Sequence, residues 1–372
     1  MKKKKVLLIA FNNLGKGGIQ NQLMNIIRTL KDRVDFDVVV WDQVKDFYTP
    51  ELEQYNIKIH KCFRNTGKTL LRQKADVFIR YGDIKKRIAQ IIAEHGPYDA
   101  IHCNNAYDAA PCLDAACKAG IPVRISHAHN MENPSLKKKA TYFAYRVHYA
   151  HHRRLIRKFA THMIGCSRQV ADYFFGTGVG QVVHIGIELA DFTQLPLKQA
   201  TNAPFELLHV GSMCEQKNQL FLVEVMDALA KSVQNVHLTM IGGGTQYLEE
   251  VKKRISAKKL ESYIRILPPQ ASVADAMAKA DLFVFPSTFE GFGIVLIEAQ
   301  AAGRPCLVSQ VVSPEANCGG LQYLPLQSGP EGWANAILQA TASGCCQKKY
   351  DVAHFSVENM ATTIATIYGS LS

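Results

Sequence analysis

The feature that most constrains the fold is an alternation of short apolar runs with amphipathic stretches, which occurs twice along the chain. The first series has apolar runs at residues 6–11, 36–41, 100–103 and 123–126, and the second at 206–210, 237–241, 264–267 and 282–285. Stretches with helical spacing separate the runs within each series. Such an alternation predicts an α/β protein with two parallel sheets, each flanked by helices.

A segment without periodicity separates the two series. Residues 193–206 contain Pro196 and Pro204 among Gln, Lys, Thr and Asn, which is typical of a linker. A length of 372 residues also favours two domains, since one domain usually takes roughly 100–200 residues. We predict Rossmann-like domains at 1–192 and 200–354 that face each other across a cleft, with a C-terminal helix at about 355–372 packing on the first domain. In such folds the ligand binds at the carboxyl ends of the strands.

Composition and charge narrow the functional classes. With 47% hydrophobic and 20% charged residues, the chain is neither disordered nor a coiled coil. The net charge of +11 is concentrated in residues 1–195, which carry 30 Lys and Arg against 17 Asp and Glu. A polyanionic partner should therefore meet the first half. No aromatic and basic RNA-binding motif accompanies this charge, so a nucleic-acid binder is disfavoured.

Several features predict a cytoplasmic protein. The ten cysteines form no C-x-x-C pair, which favours buried or incidental thiols in a reducing compartment. The apolar run after the N-terminal lysines spans six residues, fewer than the about 7–15 of a signal peptide. No stretch approaches the roughly 18 apolar residues of a membrane span.

Two patterns imitate metal sites. Asp35-Phe36-Asp37 resembles a D-x-D metal motif, but its position at the mouth of a strand favours solvated acids. His148, His151 and His152 have the spacing of ligands on one helix face, but arginines and no acid accompany them. We predict no metal at either place.

The most informative motif lies in residues 281–306. A buried strand is followed by a loop with Glu290, and Gly291-Phe292-Gly293 then opens a helix. Glycines at a helix N-terminus let backbone N–H groups approach an anion, and the helix dipole favours negative charge there. Glu298 lies in the second turn, so its carboxylate can lean back toward the same place. A carboxylate beside an anion site suits neutral hydroxyls, such as those of a sugar or a ribose.

Glu290-x7-Glu298 within E-G-F-G-x-x-x-x-E-A-x-A-x-G resembles the family-4 retaining glycosyltransferases, which have the two-domain GT-B fold. The resemblance extends over nearly the whole chain. Other matching segments are Gly17-Gly18-Ile19, residues 125–130 with two histidines, Gly165-Cys166-Ser167, residues 210–218 and Ile241-Gly242-Gly243-Gly244. Within this family, residues 298–303 and the segment around Trp333 look most like transferases of bacterial exopolysaccharide or capsule synthesis.

The resemblance implies a role for each matched residue. Glu298 would bind the nucleotide ribose, Glu290 the donor sugar, and Lys217 the diphosphate. His129 would lie near the reacting sugar, although His127 and His102 compete for that role. The remaining donor-binding positions would be Gly17, Gly18, Gly211, Ser212, Gly243, Gly291, Phe292, Gly293 and Ile294. For Gly17 and Gly18, a plain strand-to-helix turn is an equal alternative.

Two positions depart from the family pattern. The family commonly has an arginine five residues before the lysine, and Ser212 stands there in this chain. A serine removes a cation from the leaving diphosphate, so either a cation elsewhere, such as Lys16, compensates or the enzyme tolerates weak donor binding. The segment before the linker usually reads P-N-G-[IV]-D in the family, and here it is His184-Ile185-Gly186-Ile187-Glu188. This departure would affect the geometry of the hinge between the domains.

The resemblance thus predicts a metal-independent, retaining glycosyltransferase without a cofactor. It would move a sugar from a UDP-sugar to a lipid-linked saccharide acceptor in exopolysaccharide or capsule synthesis. A nucleotide-sugar epimerase of the same fold and a non-catalytic GT-B-like partner subunit are the alternatives. A basic amphipathic stretch at 136–159 adds the hypothesis of a peripheral position on the anionic inner face of the cell membrane.

Overall fold

The structure, a computed structural model, describes residues 3–10, 14–15, 17–41, 47–62, 77–104, 108–131, 142–195, 204–233, 235–270, 272–342 and 348–369. The chain divides into two compact units. The first consists of Met1–Gly186 with Val357–Ser372, and the second is Ile187–Ser356. The first unit ends before the predicted boundary at 192, because Ile187 pairs with Ser356 and the short helix that follows contacts helices of the second unit.

The first unit is built on a parallel sheet of seven strands. They are β1 (Lys4–Ile9), β2 (Val34–Val40), β3 (Lys58–Lys61), β4 (Ala100–Cys103), β5 (Val123–Ala128), β6 (His162–Gly165) and β7 (Gln181–Val182), in the order β3-β2-β1-β4-β5-β6-β7. Its first helices are α1 (Gly18–Leu30), α2 (Thr49–Gln54), α3 (Val77–His95), α4 (Ala109–Lys118), α5 (Tyr142–Phe159) and α6 (Arg168–Phe175). Residues 6–9 of β1 are at most 1% exposed, since helices cover both faces of the sheet, and this burial explains their continuous apolar run.

The second unit repeats the plan with six parallel strands. They are β8 (Phe205–Val210), β9 (Val236–Ile241), β10 (Ile264–Leu267), β11 (Leu282–Phe285), β12 (Cys306–Ser309) and β13 (Leu321–Leu324), in the order β10-β9-β8-β11-β12-β13. Its helices are α7 (Ala190–Thr193), α8 (Gln219–Ala230), α9 (Gln246–Ala257), α10 (Ala274–Lys279), α11 (Ile294–Ala301) and α12 (Gly329–Ala342). Among its described residues, 3₁₀ turns lie at Pro314–Ala316, Leu326–Ser328 and Ala353–Phe355.

The last helix, α13 (Val357–Tyr368), returns to the first unit and packs against α1. Its apolar face places Met360, Ile364 and Tyr368 in the core of that unit. In each sheet the strand order reverses beside the first strand of the unit, between β1 and β4 and between β8 and β11. Ligands of open α/β sheets bind at such switch points, outside the carboxyl ends of the strands.

Candidate active site

Two loops of the second unit meet at its switch point. The lysine loop (residues 211–218) follows β8, and the glutamate loop (residues 286–293) follows the neighbouring strand β11. Several hydrogen bonds join them, among them Thr288 N–H to Gln216 O (2.8 Å), Gln216 Nε2 to Phe289 O (3.0 Å) and Asn218 Nδ2 to Pro286 O (3.2 Å). The loops therefore form one surface, although about 70 residues of sequence lie between them.

Lys217 and Glu290 form an ion pair across this surface. The ammonium of Lys217 bonds to Oε2 of Glu290, while Oε1 of Glu290 accepts a hydrogen bond of 3.1 Å from the N–H of Gly291. The Lys217 ammonium also lies 4.6 Å from the centre of the Phe285 ring. Glu290 is only 6% exposed, so the pair holds two opposite charges largely away from water.

Two glycines are needed for the backbone geometry of this surface. Gly293 has φ +85° and precedes the first turn of α11, a conformation that residues with a Cβ rarely adopt. A Cβ at Gly242 would lie 1.9 Å from the carbonyl oxygen of Gly211, so no side chain fits there. Gly293 thus opens α11 next to the side chain of Glu290, the partner of Lys217, and the N-terminus of a helix is suited to an anion.

Glu298 occupies the second turn of α11 and is partly exposed. Within the part of the chain that the structure describes, its carboxylate makes no hydrogen bond or ion pair. Desolvation by burial raises its pKa to about 7. A carboxyl group without a partner beside an anion site is a candidate for recognising ligand hydroxyls.

A buried polar pair that sequence reasoning missed supports the lysine loop. Gln219 donates to the carbonyl of Ser212 (3.0 Å) and contacts Nε2 of His209 (3.1 Å), while its Oε1 accepts from the N–H of Cys214 (3.3 Å). His209 in turn donates from Nδ1 to Val284 O (2.9 Å), and burial lowers its pKa to about 4. His209 is therefore neutral at pH 7. A histidine that follows two leucines near the end of β8 was the available signal.

Ser212 itself is exposed in the lysine loop. Its hydroxyl can supply a hydrogen bond but no charge, so Lys217 is the only lysine or arginine of this loop. Of the other predicted donor-binding positions, Gly243 lies at the end of β9, where a Cβ would be 2.9 Å from Pro269.

The predicted histidine lies in the first unit, just after β5. His129 is 8% exposed, its Nε2 is 3.2 Å from Oδ1 of Asn104, and burial lowers its pKa to about 3. Its two competitors are adjacent: the rings of His127 and His129 are 4.2 Å apart, and Nε2 of His102 is 3.0 Å from Nδ1 of His127. We call these three residues the histidine cluster. Asn104, which sequence reasoning missed, follows β4 and contacts the cluster through His129.

The glycine loop of the first unit has ordinary backbone geometry at Gly17. Its φ is −165°, which any residue can adopt, and a Cβ there would meet only the flexible end of the Gln20 side chain. Gly18 is the first residue of α1. Neither observation decides between an anion site and a plain turn. Lys16, the candidate compensating cation, lies outside the described residues.

Asp37, in one of the two patterns that imitate metal sites, is used structurally. Asp37 is buried, accepts a hydrogen bond from Tyr98 and pairs with Lys5 and His60. Burial alone would raise its pKa, but these hydrogen bonds and charges outweigh burial and lower it. Asp35 is exposed near Lys3. Among the described residues, no group of three His, Cys, Asp or Glu could hold a metal ion, and no helix is long and apolar enough to cross a membrane.

Comparison with known proteins places this geometry in a class. Residues 16–191 match the family model described as glycosyltransferase family 4, and residues 204–344 match that of glycosyl transferases group 1. Anabaena HepE, solved in complex with UDP and glucose, has a TM-score of 0.75 at 21% identity and covers 99% of this chain and 100% of its own. The two parallel-sheet units are thus those of a glycosyltransferase of the GT-B fold.

Relatives in sequence define the group further. EpsF of Bacillus subtilis, named as a glycosyltransferase, is 26% identical over 93% of this chain and 90% of its own. The capsular polysaccharide biosynthesis glycosyltransferase CapH of Staphylococcus aureus is 22% identical over 88% of both. An Escherichia coli UDP-Gal:α-D-GlcNAc-diphosphoundecaprenol α-1,3-galactosyltransferase is 22% identical over 58% of both. The chain belongs to the family-4 glycosyltransferases, with homologues in capsule and exopolysaccharide synthesis.

Proposed function

We propose that this enzyme is a retaining, metal-independent transferase that moves a sugar from a UDP-sugar to a lipid-linked saccharide. One observation carries the proposal: a lysine–glutamate pair lies at the switch point of the second unit, and the helix that a glycine opens directly after it carries a glutamate with no partner among the described residues. The complexes of HepE with UDP and with UDP-glucose support UDP as the nucleotide, and the E. coli relative supports the acceptor class.

The chemical difficulty is the charge that develops on the leaving diphosphate as the anomeric C–O bond breaks. Preorganised donors must stabilise this charge, and we assign this task to the Lys217 ammonium and the N–H groups of residues 292–294, because the Gly291 N–H already donates to Oε1 of Glu290. A lysine has three donors, so Lys217 can contact a phosphate while it stays paired with Glu290. In a retaining transfer the acceptor oxygen bonds to the anomeric carbon on the face that the diphosphate leaves, and a phosphate oxygen takes the acceptor's proton.

The two glutamates have different proposed tasks. Glu298 would accept hydrogen bonds from the ribose hydroxyls, because it lacks a protein partner among the described residues and lies one turn behind the anion site. Glu290 is held by Lys217 and the Gly291 N–H, and would orient a hydroxyl of the donor sugar. His129, neutral because of its burial, would bind a hydroxyl of the reacting sugar from the first unit.

Calorimetric titration with UDP tests the assignment. Glu298→Ala should weaken UDP binding by about 1.5–3 kcal/mol, the usual value of a hydrogen bond to a charged acceptor. Glu290→Ala should leave UDP affinity near that of the wild type and lower turnover. Wild-type affinity in Glu298→Ala would refute the ribose role. NMR of the product tests retention, and a free altered sugar in place of a glycoside would point to an epimerase.

Helix α5 supports a proposed position at the membrane surface. Its exposed side chains include Arg146, Val147, Arg154 and Lys158, and Val147 is 54% exposed rather than packed in the core. Arg153 and Arg157 instead donate to backbone carbonyls at the end of α6. Binding to anionic vesicles that fades as salt rises would support this position, and equal binding to neutral vesicles would refute it.

A further inference from the structure

A chain of three buried side chains runs from the C-terminal helix to the histidine cluster. Oη of Tyr368 lies 2.6 Å from Nδ1 of His102, and Nε2 of His102 lies 3.0 Å from Nδ1 of His127. None of the three residues is more than 1% exposed. The contacts join helix α13 to the ends of β4 and β5 inside the first unit.

The hydrogen-bond capacities of these groups fix where each proton lies. Burial lowers the pKa of both histidines, that of His102 to about 3, and raises the pKa of Tyr368, so all three groups are neutral. A buried hydroxyl needs an acceptor for its proton, and the partner of Tyr368 among the described residues is Nδ1 of His102. His102 must then carry its proton on Nε2 and donate it to Nδ1 of His127. His127 consequently carries its own proton on Nε2.

The chain ends at atoms that have no partner among the described residues. Nε2 of His127, Nδ1 of His129 and Nδ2 of Asn104 are buried and make no hydrogen bond with any residue that the structure describes. As Nε2 of His129 faces Oδ1 of Asn104, it donates to that oxygen, which leaves a lone pair on Nδ1. A donor at His127 and an acceptor at His129, on rings 4.2 Å apart, form the pattern that a single hydroxyl group satisfies.

We propose that Tyr368 and His102 are positioning residues that hold His127 as an Nε2–H donor, so that His127 and His129 together recognise one hydroxyl of the sugar substrate. The identity of the ligand rests on the proposed function. The fixed tautomer does not, because it follows from the protein contacts alone. Removing the tyrosine hydroxyl leaves Nδ1 of His102 without a donor. His102 can then carry its proton on Nδ1 instead of Nε2, and His127 can carry its proton on Nδ1 and donate it to Nε2 of His102.

Histidine-ring NMR of the full-length protein, labelled with ¹⁵N-histidine, measures the tautomers directly. Wild type should show His102 and His127 as neutral Nε2–H forms, and Tyr368→Phe should show a mixture for both. Tyr98→Phe is the matched control, because Tyr98 is a buried tyrosine of the same unit whose hydroxyl bonds to Asp37. A wild-type His127 protonated on Nδ1, or unchanged tautomers in Tyr368→Phe, would overturn the proposal.

A second variant covers the case in which Tyr368→Phe does not fold. His102→Gln keeps an acceptor toward Tyr368 and a donor toward His127, so the Nε2–H form of His127 should persist. In contrast, His102→Leu should lose it. Mixed tautomers of His127 in His102→Gln, or a single persisting tautomer in His102→Leu, would contradict the proposal that His102 fixes the tautomer of His127.

Turnover tests the positioning role separately. Tyr368→Phe should lower kcat about tenfold while UDP affinity stays within twofold of wild type, and Tyr98→Phe should keep kcat. An altered tautomer with unchanged kcat would overturn the positioning role. If the wild type failed to bind UDP, the proposed function would be refuted. The tautomer measurement would still decide whether Tyr368 and His102 fix the tautomer of His127.

Discussion

Glu298→Gln should stabilise the enzyme and at the same time impair it. Burial raises the pKa of Glu298 from its ordinary 4.5 to about 7, so between these values the folded chain keeps a proton that the unfolded chain has lost. The free energy of unfolding therefore falls as pH rises through this window. At 1.36 kcal/mol per pKa unit, the loss amounts to about 3 kcal/mol. Glutamine keeps the shape of the side chain and never ionises, so the variant escapes the loss.

The assay is urea denaturation at pH 4.5 and pH 8 with tryptophan fluorescence as the readout. The chain has two tryptophans, and in a Trp41→Phe background the buried Trp333 reports on the second unit. Glu298→Gln should match its parent at pH 4.5 and exceed it by about 3 kcal/mol at pH 8. The exposed Glu261 provides the control, and Glu261→Gln should not give the gain of about 3 kcal/mol at pH 8, because surface substitutions change stability little.

The same variant should bind UDP more weakly, because an amide is a poorer acceptor for ribose hydroxyls than a carboxylate. Opposite changes in stability and affinity are expected of a group kept for function at the expense of the fold. If Glu298→Gln showed no stability gain at pH 8, Glu298 would not be desolvated as described, and the reasoning would be refuted.

Three further predictions concern other charges. Lys217→Ala should destabilise the protein by about 3 kcal/mol, because it leaves the buried Glu290 carboxylate without its cation, and it should weaken UDP binding in calorimetry. Lys252→Ala, at an exposed lysine, should change neither stability nor affinity. Wild-type UDP affinity in Lys217→Ala would refute the role of Lys217 in binding the diphosphate. Ser212→Arg should raise UDP affinity, and no gain would place the diphosphate elsewhere. Asp37→Asn should cost stability at pH 7 and less at pH 3, because the lowered pKa of Asp37 stabilises the fold above its ordinary 3.8; equal losses in urea at both pH values would contradict this.

Strands with an apolar run were predictable from the sequence, and strands without one were not. The bounds predicted for β4 and β11 match the structure, and all four residues of each are buried. The bounds predicted for β10 match as well, although it is a partly exposed edge strand, because its sequence Ile-Arg-Ile-Leu is still mostly apolar. Strand β3 reads Lys-Ile-His-Lys at the edge of its sheet and is mostly solvent-accessible, so no apolar run marks it. Strand β7 has two residues and forms only by pairing with β6. The pairing of an edge strand is set by its neighbour rather than by its own residues.

The candidate site was predictable where it is local. The two glutamates and the glycines lie within one stretch of sequence, and the position of Gly293 before a helix follows from its neighbours. The partner of Glu290 is 73 residues away, and that of Tyr368 is 266 residues away. Spacing along one element cannot reveal such pairs, since they exist only after two elements have packed. The sequence accordingly indicated the three histidines of the cluster as competitors for one role, but neither their contacts with one another nor the tyrosine bonded to His102 was predicted.

The return of helix α13 to the first unit sets the order in which the newly made chain can become complete. The ribosome finishes the second unit at Ser356 before it has made the helix that closes the first. Until Met360, Ile364 and Tyr368 leave the ribosome, the apolar surface that they cover stays exposed to solvent. The domain that is translated first must therefore complete its folding last. A chain truncated before Val357 would have one completely folded domain and one incomplete domain that quality-control proteases can recognise.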